Sequence, residues 1–235
     1  YNLKTNSKSR IRNETMEVKE AILNRKSVRQ FLPKEVEKEK LDRLMDLTRR
    51  APTWKNAQGY KIAIVQGKMK DQISNDFMQA IESGTPENPD YPYQDFYPHY
   101  MKKRMLELGS SYYGHLGVDR KDKERRKELL LDNFKFFGAP VGIFFLMERG
   151  MNFWPTLDLG ILVGTLLIAA RDEGLETIAQ ASLAAFPDIV RKNLNLETNW
   201  TVAVGVSLGY GDPNALTNQF VSPRVDKTEI IQFYE

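Results

Sequence analysis

The chain has 235 residues, of which 41% are hydrophobic and 28% charged, a composition typical of a globular protein with a sizeable core. The net charge is only +3, and no apolar run is as long as a membrane span, so we expect neither nucleic acid nor a membrane as partner. The absence of cysteine excludes disulfides, thiolate metal sites and cysteine nucleophiles.

Residues 1–15 are polar, basic and without periodicity, which predicts a flexible N-terminal arm ahead of a single domain at residues 16–235. Apolar spacing and stop signals predict helices at residues 16–25, 36–50, 68–82, 101–116, 121–137 and 157–171. Runs rich in β-branched residues predict strands at residues 60–65, 139–147 and 202–208. Helices and strands that interleave without a regular βαβ repeat indicate an α+β fold, a sandwich around a mixed sheet. Because helix 157–171 is apolar nearly all round, we expect it at the centre of the structure, with both faces covered.

Residues 84–100 read GTPENPDYPYQDFYPHY, which is too rich in proline for a regular helix or a central strand. Two interpretations remain open for this long loop. It is a surface excursion held down by its own tyrosines, or it lines a substrate entrance.

Residues 21–31 concentrate positive charge at the end of a short helix. Arg25, Lys26 and Arg29 lie within five residues, together with the hydroxyl of Ser27. Such a group can hold a phosphate by charge-assisted hydrogen bonds, although this segment taken alone favours a solvated basic helix end. No glycine-rich phosphate loop, Rossmann fingerprint or histidine metal spacing occurs elsewhere, so no metal site is expected.

Three further segments accompany this cluster: APTWKNAQGY at residues 51–60, GLETIAQASL at 174–183 and NQFVSPR at 218–224. In this order and spacing, the four segments resemble the nitroreductase family of FMN-dependent oxidoreductases, especially its bacterial nitrobenzoate reductase-like branch. The resemblance covers the chain from about Met16 onward. It implies a dimeric α/β sandwich whose central sheet is mixed but mainly antiparallel and flanked by helices.

The resemblance also implies residue roles. Arg25 and Ser27, beside Lys26, would hold the phosphate and ribityl end of FMN, Arg29 would lie near N1 of the ring, and Arg224 would be a second phosphate-binding arginine. Along the N5 face the resemblance places Gln180 and Ser182. The partner subunit would contribute a loop with the matching positions Pro52, Thr53, Trp54, Asn56 and Gln58. Trp54 is alternatively an ordinary core aromatic residue.

No catalytic side chain is implied, because flavin N5 carries the chemistry. The leading hypothesis is a cytoplasmic homodimer with FMN at the subunit interface. It would pass hydride from NADH or NADPH through flavin N5 to a small aromatic acceptor, a nitroaromatic or quinone, by ping-pong kinetics. A second hypothesis keeps the flavin but makes the enzyme a reductive dehalogenase, an ene-reductase or dehydrogenase, or a flavin-degrading enzyme. A third is a non-enzymatic anion-binding protein.

Overall fold

The computed structural model describes residues 16–235, so the predicted arm at residues 1–15 lies outside the described residues. Its sheet has four strands: β1 (Tyr60–Gln66), β2 (Val141–Glu148), β3 (Glu176–Gln180) and β4 (Trp200–Gly209). The spatial order is β1-β2-β4-β3, and each neighbouring pair is antiparallel. The four strands are thus antiparallel throughout, as the main part of the predicted mixed sheet was. The parallel pairing among the described residues is limited to one isolated bridge, between Ser27 and Thr177.

The described residues also form eight α-helices. They are α1 (Val18–Asn24), α2 (Lys38–Thr48), α3 (Gly67–Glu82), α4 (His99–His115), α5 (Lys123–Leu131), α6 (Phe153–Asp172), α7 (Pro187–Leu194) and α8 (Leu216–Gln219). Short 3₁₀ turns occupy Trp54–Asn56, Asp132–Gly138, Ala181–Ala184 and Lys227–Glu229. The predicted α+β class is therefore confirmed.

Strand β2 is buried on both faces and separates two hydrophobic clusters. Phe144 and Leu146 point to the cluster that contains Phe77 of α3, whereas Phe145 and Met147 point to the cluster of α2 and α6. This alternation follows from the two-residue period of a strand, and it explains why the sequence of β2 is a continuous apolar run.

Helix α6 begins at Phe153, four residues earlier than predicted, because Pro155 is tolerated in the first turn of a helix. One stripe of the helix is buried in the core: Leu159, Leu162, Leu166 and Ala170. Leu157 and Ile161 on its other side are exposed, so α6 is enclosed by its own chain on one side only.

The sequence prediction was wrong about residues 121–137, which do not form one helix. Helix α5 ends at Leu131, and the following 3₁₀ segment places Phe136 and Phe137 at φ values of 55° and 54°. Both rings are buried, and a continuing helix would turn successive side chains to different faces. Core packing therefore outweighs helix propensity here. The short elements β3 and α7 were not predicted, because five and eight residues give little periodic signal.

The turn after β3 packs closely against Gly205 of β4, and this contact can be tested. A Cβ on Gly205 would lie 2.4 Å from Cβ of Leu183, so Gly205→Ala should lower the free energy of unfolding by about 1–3 kcal/mol. Gly109→Ala is the control, because a Cβ there meets nothing within 4 Å and alanine favours a helix by about 0.5–1 kcal/mol. Urea unfolding measures both variants, and equal stability of the two would contradict the packing account.

Candidate active site

The basic segment crosses the ends of β3 and β4, where backbone pairing holds it. Ser27 bridges Thr177, and the backbone N–H of Val28 donates to the Thr177 carbonyl at 3.1 Å. Phe31 forms an antiparallel bridge with Gly211. The apolar anchors Val28 and Phe31 are buried. The polar residues of the segment remain partly exposed at this end of the sheet: Arg25, Lys26, Ser27 and Arg29.

A buried amide, Asn218, fixes the backbone of this segment. Its Oδ1 accepts from the Arg29 backbone N–H at 2.7 Å. Its Nδ2 donates to the carbonyls of Gln30 and Asp212 at 2.7 and 2.9 Å. The residue is only 3% exposed, so water cannot replace these bonds. Asn218 thus fixes the backbone of Arg29 and, with it, the direction of the Arg29 side chain.

The guanidinium group of Arg29 is partly buried and faces aromatic rings. It lies 4.8 Å from the ring centroid of Tyr112 and donates to the Ser27 carbonyl at 3.4 Å. Within residues 16–235 it has no carboxylate partner. Burial lowers the pKa of Arg29 from its ordinary value, and the phenols of Tyr112 and Tyr113 act in the opposite direction. A cation in this setting favours a ligand with negative charge beside it.

Arg29 lines a cavity of about 480 Å³ together with two other predicted site residues, Gln180 and Ser182. The cavity is bounded further by Glu87, Tyr93, Tyr112, Tyr113, Leu129, Leu130, Asn133, Phe134, Phe137, Ile178, Ala179 and Ala181. Ala179 and Ala181 are exposed to this space, and their short side chains leave room against the backbone of β3. The cavity therefore joins a flat floor of small residues to aromatic walls and one cation.

A network of amides and hydroxyls lies beneath this floor. The Gln180 amide donates from Nε2 to the Asn133 carbonyl at 2.9 Å and accepts from Ser207 Oγ at Oε1. Ser182 Oγ donates to Asn133 Oδ1 at 3.2 Å. Both polar ends of the Gln180 side chain are thus used within the protein. Its structural effect is to fix the backbone between β3 and the following turn.

Two tyrosines of the cavity wall, Tyr93 and Tyr112, have a raised pKa. Burial raises the pKa of Tyr112, and the nearby Arg29 opposes this only in part. Burial also raises the pKa of Tyr93, with a further contribution from Glu87. Both side chains consequently present uncharged rings and O–H groups to the cavity near neutral pH.

The loop that carries Glu87 and Tyr93 is tied down between them by Asp90. The Asp90 carboxylate accepts from Arg191 Nη1 at 2.5 Å, from Arg149 Nη2 at 3.3 Å and from the Val202 backbone N–H at 2.9 Å. This tether of residues 84–100 is the Asp90 carboxylate rather than a tyrosine, and a role of the loop in a substrate entrance stays a prediction. The loop is fastened to the body of the protein, and it also lines the cavity.

The predicted segment 52–58 lies away from this cavity. The backbone N–H of Trp54 donates to both carboxylate oxygens of Asp158 at 3.0 Å, and its ring stacks on Trp154 with centroids 5.3 Å apart. Trp54 is 54% exposed, so it is not a core aromatic residue. Lys55, Asn56 and Gln58 are exposed and have positive φ, which is uncommon for residues other than glycine. The other predicted positions of the loop also lie outside the cavity lining: Pro52 and Thr53.

The remaining predicted residues do not line the cavity of the single chain either. Arg25 and Lys26 have no ion pair within residues 16–235. Arg224 is exposed, and its Nη1 donates to the Ser222 carbonyl, Ser222 Oγ and the Pro223 carbonyl, each at 3.0 Å. The structure therefore groups Arg29, Gln180 and Ser182, and the roles of the others stay predictions.

Sequence reasoning missed several residues that build the site: Glu87, Tyr93, Tyr112, Tyr113, Asn133 and Asn218. Tyr93 belongs to residues 84–100, whose tyrosines were considered in the sequence analysis. Asn218 is the first residue of the family-like segment 218–224. The other positions gave little signal, because a tyrosine pair inside a helix and an asparagine after one are common surface patterns.

The fold and the site define a class of protein, namely an α+β protein with a cationic, aromatic-walled cavity at one end of an antiparallel sheet. Residues 22–210 match the sequence model of the nitroreductase family. The chain belongs to this family, and the predicted family and fold are confirmed.

Individual relatives agree with this assignment. The 4-nitrobenzoate reductase of Pseudomonas putida is 31% identical over 86% of this chain and 89% of its own length. The nitrobenzene nitroreductase of Ectopseudomonas oleovorans is 27% identical over 92% of this chain and 96% of its own length. Among solved structures, the FMN-dependent nitroreductase NfnB of Mycobacterium smegmatis in complex with NADPH superimposes with a TM-score of 0.89. It has 27% identity and covers 92% of this chain and 97% of that one.

The role of Asn218 can be tested by removing its amide. Asn218→Ala should destabilise the protein by about 1–3 kcal/mol, because it leaves buried backbone groups unpaired, and it should weaken flavin retention by releasing Arg29. Asn214→Ala is the control, since Asn214 is an exposed asparagine of the same loop. Thermal unfolding and flavin content measure the two effects. Unchanged flavin content in a destabilised Asn218→Ala protein would show that Asn218 does not position Arg29.

Proposed function

We propose that this protein is an FMN-dependent NAD(P)H oxidoreductase that reduces small aromatic acceptors, nitroaromatics or quinones. The observation that carries the proposal is the Arg29 guanidinium, which is partly buried beside the cavity and has no carboxylate partner within residues 16–235. In a folded protein such a cation requires an electronegative ligand. The family membership agrees with a flavin in this position.

The residues present fit FMN by their chemistry. The small floor and the aromatic walls suit a planar ring, and the arginines suit a phosphate through bidentate hydrogen bonds. Arg25 and Lys26 are partly exposed cations next to Ser27, without ion pairs among the described residues. We assign the phosphate and ribityl end to these three residues and to Arg224.

When bound, FMN supplies the hydride acceptor and donor at N5. The residues of the chain would hold the ring in the cavity. Arg29 places positive charge beside the cavity floor, where it would favour a bound flavin that carries negative charge. Gln180 and Ser182 hold the backbone of the floor through Asn133. No side-chain base is needed for hydride transfer.

We propose further that the protein is a homodimer in which the segment 52–58 reaches the cavity of the partner subunit. The exposed side of α6 supports this proposal, because Phe153, Leu157 and Ile161 are 66%, 44% and 37% exposed. An apolar cavity of about 360 Å³ adjoins the same helix. It is lined by Tyr91, Met147, Thr156, Leu159, Gly160, Val163, Ala203 and Val204. Apolar surface of this extent is typical of a face that a partner covers.

Helix α6 is long and apolar enough to cross a membrane, by length and composition alone, and 28% of its most apolar stretch of 18 residues is buried inside the protein. Its other features support a place in the folded core. It packs on α1, α2 and β3, and its buried Asp158 binds the backbone of Trp54. We therefore assign its exposed side to a second copy of the chain. Since NAD(P)H is an intracellular reductant, we place the enzyme in the cytoplasm.

The proposed reaction predicts a yellow protein. Its flavin absorbance should bleach on addition of NADPH or NADH without oxygen, and it should return when a nitroaromatic is added. Comparison of the two bleaching rates also identifies the preferred nicotinamide. A colourless protein that does not take up added FMN would overturn the proposed function.

The phosphate assignment predicts the effect of removing single arginines. Arg25→Ala and Arg224→Ala should each weaken FMN binding by about tenfold or more, because each removes charge-assisted hydrogen bonds. Arg49→Ala is the control, since its exposed guanidinium pairs with Asp46 on α2. The ratio of flavin to protein absorbance, measured on dilution, gives the affinity. Full occupancy in both variants would exclude these two arginines as phosphate ligands.

The dimer assignment predicts that charge on the exposed side of α6 separates the subunits. A double variant, Leu157→Glu with Ile161→Glu, should be monomeric by light scattering and should lose FMN. Met69→Glu is the control, because Met69 is 41% exposed on α3, which covers the opposite face of the sheet. A double variant that stays dimeric would exclude this face as the interface.

A further inference from the structure

A cation that the assignments above do not use lies against a residue of the cavity wall, although it does not itself line the cavity. Arg126 of α5 holds its guanidinium 4.0 Å from the ring centroid of Tyr113, and Tyr113 lines the cavity. Arg126 also precedes the lining residues Leu129 and Leu130 by three and four positions, so all three lie on one face of the helix. The charge is thereby placed at the edge of the cavity wall.

Arg126 has no carboxylate partner within residues 16–235. Its neighbour Arg125 differs, since Arg125 Nη1 donates to Glu128 Oε2 at 2.8 Å. Stacking on Tyr113 uses the flat face of the Arg126 guanidinium and leaves the N–H groups at its edge available. Those N–H groups match the two oxygens of a carboxylate.

The other charges of the cavity wall are consistent with an anion at this edge. Arg29 lines the cavity together with the floor residues of β3, and we assign it to the cofactor. Glu87 is the acidic residue of the lining, and it interacts with the phenol of Tyr93. An aromatic acceptor whose nitro group points to the floor can therefore direct a carboxylate at its other end to α5.

We propose that Arg126 determines acceptor specificity by binding the carboxylate of a nitroaromatic acid. The inference rests on the proposed function and names its substrate class, an anionic aromatic acceptor in preference to a neutral one of the same shape. The relatives are named for acceptors of both kinds, 4-nitrobenzoate and nitrobenzene, so the family alone does not decide between them.

The test compares 4-nitrobenzoate with 4-nitrobenzamide, which has nearly the same shape but no charge. For Arg126→Gln, kcat/KM for 4-nitrobenzoate should fall about tenfold to a hundredfold, the contribution of a charge-assisted hydrogen bond, while kcat/KM for 4-nitrobenzamide stays unchanged. Arg126→Lys should retain part of the preference, because it keeps the charge without the bidentate geometry. Arg125→Gln is the matched control and should change neither acceptor.

A second readout needs no turnover. Benzoate and benzamide are titrated into the oxidised holoenzyme, and binding is followed through the flavin spectrum. Arg126→Gln should weaken benzoate binding and leave benzamide binding unchanged.

The outcomes separate the inference from the proposed function. Equal losses on both acceptors, or no loss on either, would overturn the role of Arg126 while leaving a working reductase. A loss confined to NADPH and absent with NADH would also overturn it, by assigning Arg126 to the nicotinamide phosphate. A wild-type protein that holds no flavin and reduces neither acceptor would defeat the proposed function and the inference together.

Discussion

The backbone pairing that holds residues 27–31 across the ends of β3 and β4 is the constraint on which the site depends. Thr177 and Gly211 supply the bridges, and Asn218 supplies the hydrogen bonds that a third strand would otherwise make. The segment is therefore ordered without being a strand of the sheet. Its cationic side chains lie at the end of the sheet. Arg29 gains its fixed position at the cavity in this way. The same pairing buries part of its guanidinium, and this burial creates the need for a negative ligand.

A second constraint comes from the aromatic core. Phe136 and Phe137 adopt left-handed backbone angles so that both rings are buried. This conformation ends the preceding helical segment and leaves Asn133 under the cavity floor, where it joins Gln180 to Ser182. Left-handed geometry is unfavourable for residues with a β-carbon, so packing must compensate for it. The hydrophobic effect thus positions a polar network, and the network shapes the floor.

Much of this molecule follows from its sequence, and the remainder has identifiable physical reasons. The long elements were predictable, because helices such as α2 and the buried strand β2 carry strong periodic or continuous apolar patterns. The basic cluster around Arg29 was also visible, since charge density is a local property. Tyr112 and Asn133 were not, because their importance arises from contacts with residues distant in the chain. The break after Leu131 was missed for the same reason: local propensity favours a helix, and only the packed core shows why it stops.

The fastening of the cavity loop through Asp90 has a consequence for how this protein can change. The tether consists of Asp90, Arg149, Arg191 and the backbone of Val202, none of which lines the cavity. The positions that face the ligand, Glu87 and Tyr93, lie three residues to either side. Stability and ligand contact are thus divided between different residues of one short loop. Substitutions can alter the mouth of the cavity while its attachment stays intact, so the range of accepted molecules can diverge among descendants without loss of folding.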